Sequence, residues 1–61
     1  MRSDQISAMR FNLRQDVKIH GKVRARIRAL FYLSQLDSDP EKAAYAADYR
    51  QACRDVLGGE W

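Results

Sequence analysis

The single proline of the chain, Pro40, directly follows Asp39, and this pair marks where a helix starts. An aspartate carboxylate accepts from the free amides of a first helical turn. Proline at the first helical position gives up no bond, because that N–H has no partner in a helix. Glu41 adds a negative charge suited to the positive helix end. Gly58-Gly59 offers the stop, since glycine tolerates the left-handed conformation past a last turn. The sequence therefore predicts a helix over 40–57. Its apolar stripe would be Tyr45, Tyr49, Ala52, Cys53 and Val56, and alanines at 43, 44, 46, 47 and 52 permit close approach of another element.

Upstream, residues 22–36 also read as a helix. Val23, Ile27, Leu30, Phe31 and Ser34 fall on one helical face, and Leu30 to Leu33 form a continuous apolar run. The short turn 37–39 would make the two helices antiparallel neighbours.

Residues 9–29 carry a second pattern. Nine of the eleven odd positions are apolar, and seven of the ten even positions are basic. Over 9–14 the period-2 pattern of a strand is complete, with Met9, Phe11 and Leu13 on one face and Arg10, Asn12 and Arg14 on the other. The fold expected is mainly α: an arm over 1–8, a strand over 9–14, and the two helices. A helix is the alternative for this region, capped by Ser3, with Ile6, Met9, Leu13 and Val17 as its stripe. It leaves Phe11 and Ile19 off the stripe and meets Gly21, which costs about 1 kcal/mol relative to alanine inside a helix. A third arrangement, a hairpin with loop 20–22, would pair Ile19 with Val23 and Val17 with Ala25.

Size limits what the chain does alone. Sixty-one residues make one domain, and a domain of that size buries only about 60% of its unfolded surface. The lone Cys53 excludes an internal disulfide, and one Cys with one His cannot complete a structural zinc site. No metal or cofactor is expected, and a homodimer is the expected source of extra stability. No apolar run is long enough to span a membrane, and the first residues lack the apolar core of a secretory signal. No membrane association and a cytoplasmic location are the expectation. With no nucleophile–base pair and no glycine-rich phosphate loop, catalysis is not expected.

Charge divides the chain. Residues 1–36 carry eight basic and two acidic side chains, +6, while 37–61 carry three and six, −3. Two readings stay open for Lys18, Lys22, Arg24, Arg26 and Arg28. They hold nucleic-acid phosphates, or they form a solvated face that pairs with the acids of the last helix.

The order strand, helix, helix, with Arg10-Phe11-Asn12-Leu13-Arg14 as the strand, resembles the ribbon-helix-helix phage repressors of the Arc and Mnt type. That resemblance implies a dimer whose paired strands enter the major groove of duplex DNA. Arg10, Asn12 and Arg14 would then contact bases, arginine suiting guanine and asparagine adenine. Lys18, Lys22, Arg24 and Arg28 would join the nucleic-acid surface. The all-helical alternative is similar to the Rop helical hairpin, through its Leu36-Asp37-Ser38-Asp39 turn and its length. This implies a dimeric bundle that binds RNA.

The functional expectation is a dimeric transcriptional regulator. The alternatives are an all-α adaptor or inhibitor that blocks a protein partner, such as a phage host-takeover factor, and the RNA binder. The expected dimer and core set is Met9, Phe11, Leu13, Ile27, Leu30, Phe31, Tyr45, Tyr49 and Val56. His20 reads as a boundary residue, Cys53 as a core residue, and Trp61 as a partner anchor or a packing residue.

Overall fold

The computed structural model describes residues 2–61, with side chains from Ser3 onward. Three α-helices follow one another: α1 (Arg2–His20), α2 (Lys22–Asp37) and α3 (Ala43–Leu57), with a 3-10 turn at Pro40–Lys42 leading into α3. Each helix packs against the other two.

The strand expected over 9–14 is absent, and so is the hairpin around 20–22; residues 9–14 lie within a helix, and Gly21 is a joint between two helices. The ribbon-helix-helix arrangement is thereby overturned. The physical reason lies in the backbone. A single strand has no partner within this chain and would leave its N–H and C=O groups unpaired, whereas a helix satisfies them internally. Burial then selects the helical stripe. Met9 and Leu13 enter the core, with Ile6 and Val17 packed against it. Phe11 lies on the far side of α1 and is 59% exposed. The β-branched Val17 and Ile19 cost a few tenths of a kcal/mol each in a helix, less than burying the stripe returns.

Gly21 joins α1 to α2 as a single residue. Its φ of 85° and ψ of 161° lie in a region that is essentially open to glycine alone. Its N–H donates to the Val17 carbonyl at 2.8 Å, and its own carbonyl accepts from Ala25 N–H at 3.0 Å. The joint ends one helix and starts the next without a side-chain cap. It also brings α2 back toward α1 closely enough for Arg28 to reach Asp16.

That close return decides which face of α2 is buried. Ala25, Ala29, Leu33 and Leu36 point inward, with Ala25 at 0% and Ala29 at 2% exposure. The face expected inside, Val23, Ile27, Leu30, Phe31 and Ser34, points to solvent instead. Small side chains fit at a one-residue joint between close-packed helices, and bulky ones do not.

Asp39 starts the last segment. Its Oδ1 accepts from the Glu41 N–H at 3.1 Å, and Pro40 follows at the first position of the turn. The first turn winds tightly as 3-10 before α3 proper begins at Ala43. Gly58 closes α3 at φ 72°, donating its N–H to the Arg54 carbonyl at 3.1 Å. Ala46, Ala52, Cys53 and Leu57 of α3 complete the core, and Tyr45, Tyr49 and Val56 pack at its edge.

Candidate interaction surface

The cations expected to bind nucleic acid do not share one face. Arg10 and Arg14 sit one helical turn apart on α1, with Lys18 continuing the row. Asn12 lies away from them and borders a groove with Asp16, Arg28 and Tyr32. The three side chains proposed to read bases are therefore not gathered together, because the period that aligns them exists only in a strand.

Several cations are already engaged. Arg10 Nη1 donates to Asp55 Oδ2 at 2.8 Å, joining α1 to α3. This hydrogen bond holds the Asp55 carboxyl below the usual carboxylate range. Arg28 Nε donates to both Asp16 oxygens, at 3.0 and 3.1 Å, and His20 Nε2 stands 3.7 Å from the same carboxylate. Arg28 thus pairs with α1 rather than with acids of the last helix. Arg14, Lys18, Lys22 and Arg24 form no ion pair among the described residues. Arg14 and Lys22 border a shallow groove with Val17, Asp55 and Val56.

Arg26 has a separate task. Its Nη2 donates to the carbonyls of Leu57, at 3.4 Å, and Gly58, at 3.2 Å. A cation at these carbonyls suits the negative end of α3. The Trp61 ring centroid lies 5.3 Å from the Arg26 guanidinium carbon, and Trp61 Nε1 donates to the Gly58 carbonyl at 2.8 Å. The chain end is clasped onto α2 in this way. Sequence reasoning grouped Arg26 with the other cations. The one available signal was the Gly58-Gly59 pair, which lets the chain turn back and deliver Trp61.

An open groove of about 370 Å³ runs beside Met9, Asn12, Leu13, Asp16, Arg28 and Ala29 and is edged by three tyrosines. The Tyr32 and Tyr49 rings meet edge to face, with centroids 5.0 Å apart. A hydrogen bond with Tyr32 and partial burial push the Tyr45 hydroxyl pKa up, and burial pushes that of Tyr49 up. These hydroxyls stay protonated at neutral pH and act as hydrogen-bonding groups, not as bases. The Cys53 thiol is buried at 0% exposure, and burial raises its pKa to about 11. A protonated, enclosed thiol is a poor nucleophile. Among the described residues, no three His, Cys, Asp or Glu side chains cluster as a metal site needs. No helix among them is long and apolar enough to cross a membrane.

The most distinctive surface is the outer face of α2. Val23 is 76% exposed, Ile27 56%, Leu30 53% and Phe31 71%. Ile27, Leu30, Phe31 and Ser34 enclose a shallow hollow. Leu30 also borders a second hollow with Ser34 and Trp61, where the polar rim of the stripe is formed by Asp37, Arg50 and Glu60. Of the expected dimer and core set, Met9 and Leu13 are buried, and Tyr45, Tyr49 and Val56 are partly buried. Phe11, Ile27, Leu30 and Phe31 stand outside the core of the single chain.

No protein family, curated protein or solved structure matches this chain.

Proposed function

We propose that this is a non-enzymatic helical docking protein, an adaptor or inhibitor that works by laying the outer face of α2 against another helix. One observation carries the reading: α2 is apolar on two opposite sides, and only one is covered. A helix normally turns one apolar stripe to a core and polar residues to solvent, so a second apolar stripe calls for a second packing surface. Here the second layer is missing from the single chain. Contiguous exposed apolar surface of this kind is a mark of an interaction site. Helix-in-groove recognition reads anchors at this spacing, and Val23, Ile27, Leu30 and Phe31 supply them.

Photo-crosslinking in cells tests the reading. A photoreactive phenylalanine analogue replaces Phe31 in one chain and the exposed Ala47 of α3 in another. Adducts larger than the chain are expected from position 31 and not from position 47. If position 31 gives no adduct, the docking reading fails.

A second reading, nucleic-acid binding by the helical protein, rests on the unpaired Arg14, Lys18, Lys22 and Arg24. It predicts affinity for duplex DNA or RNA that falls steeply as salt rises. Binding no stronger than that of a neutral control at low salt contradicts it.

A further inference from the structure

We infer that the helix covering the outer face of α2 is the α2 of a second copy of this chain, running antiparallel. The inference rests on the docking reading above and names its partner.

Charge complementarity is the first argument. The N-terminal half of α2 holds Lys22, Arg24, Arg26 and Arg28 and no acid. Its last residue, Asp37, and the turn beyond it supply Asp39 and Glu41. This order opposes the helix dipole, which favours acids at the start and bases at the end. Indeed, α2 has no acidic residue in its first turn and no basic residue in its last. Within the chain Arg28 pairs with Asp16, Arg26 holds the α3 carbonyls, and Asp37 pairs with Arg50. Lys22 and Arg24 form no ion pair among the described residues, and an antiparallel copy brings the Asp39–Glu41 turn of each chain toward this basic end of the other. A parallel copy would stack cations on cations.

The spacing of the stripe is the second argument. Val23, Ile27, Leu30 and Ser34 are separated by four, three and four residues. Reversal about the midpoint between Ile27 and Leu30 places Ile27 over Leu30 and Val23 over Ser34. The spacing is thus unchanged by reversal, as a two-fold axis between identical subunits requires, with Ile27 and Leu30 as its apolar centre and Phe31 set beside Arg26 of the other copy. The third argument is the thinness of the core. Ala25, Ala29, Ala46, Ala52 and Cys53 make up half of its ten buried apolar residues. Bulkier side chains remain outside, where a second copy would bury them.

Two measurements on the full chain test this. Sedimentation equilibrium across a wide concentration range is expected to show a monomer–dimer equilibrium that weakens with salt. Leu30→Arg, at an exposed position, is expected to weaken it by at least about tenfold while helical circular dichroism is kept. Cysteine pairs then read the direction. Under mild copper-phenanthroline oxidation, a chain with Val23→Cys and Ser34→Cys is expected to form covalent dimers. Val23→Cys alone is expected to stay single, because antiparallel pairing holds those two positions apart. The buried Cys53 is not available to either reaction. A monomer at every concentration overturns the inference. So does cross-linking of Val23→Cys alone as readily as of the pair, which means parallel association. Adducts to a different protein at position 31, combined with a monomer in sedimentation, leave the docking reading standing and remove the second copy. No adduct at position 31 removes both.

Discussion

The guanidinium of Arg26 on α2 faces the ring of Trp61, the last residue, at 5.3 Å, and the same guanidinium holds the carbonyls that end α3. One side chain in the middle of the sequence thus holds both the end of α3 and the C-terminal residue. Arg26→Ala is expected to cost on the order of 1–2 kcal/mol, combining a cation–π contact with lost carbonyl bonds. In a domain of this size, each kcal/mol lowers Tm by about 4–8 °C. Trp61 emission should shift to the red as the ring loses its cover. An unshifted emission maximum would mean that the clasp does not hold in solution.

Gly21 is expected to resist substitution for a backbone reason alone. A Cβ there would meet no atom within 4 Å, yet its φ is 85°. Gly21→Ala should cost about 1–3 kcal/mol of unfolding free energy, although no contact is lost. Chemical denaturation checks this. A neutral effect would show that the joint adopts another conformation.

The two faces of α2 should respond differently. Leu33 is buried and Leu30 is exposed. Leu33→Ala is expected to cost about 2–5 kcal/mol. Leu30→Ala in the dilute single chain should stay within about 0.5 kcal/mol. Equal effects at both positions would mean that both faces are covered at the dilution used.

That contrast also shows where sequence reading stops. The helix start at Asp39-Pro40 was legible because capping is local: one carboxylate, one amide, two residues apart. The stop at Gly58 was legible for the same reason. The identity of the inner face of α2 was not. Two apolar stripes compete on that helix, and hydrophobicity alone favours the bulkier one. The choice falls to the one-residue joint at Gly21, which admits Ala25 and Ala29 against the neighbouring helices. Residues 9–14 misled for a related reason. Phe11 completes an alternating pattern, but it is an outward side chain of a helix, and nothing local marks it so. The Arg26–Trp61 clasp joins residues far apart in sequence, beyond the reach of any periodicity. As for the candidate site, Ile27, Leu30 and Phe31 were picked out by their type as dimer or core residues, with nothing to separate the two roles. Their placement outside the single-chain core came from the fold.

Alkaline pH should unfold the protein in a defined window. The Cys53 thiol has a pKa near 11 in the fold against an ordinary value of 9.0. The neutral thiol is therefore the form the fold favours. Its contribution is complete below pH 9.0 and is lost as pH rises toward about 11, where the unfolded chain has already released its proton. The loss is on the order of 2–3 kcal/mol. Circular dichroism against pH should show helix melting in this range, with a thiol reagent reacting only as the helices melt. Rapid thiol modification of fully helical protein would contradict this.

The central claim is that the outer stripe of α2 serves docking and contributes little to the fold. It is tested most directly by the yield of photo-crosslinked adduct at position 31 in a chain carrying Ile27→Arg and Leu30→Arg, with helical content recorded on the same sample. The account predicts that helical content is retained and that the adduct disappears. Unchanged adduct yield, or collapse of the helical signal, would contradict it.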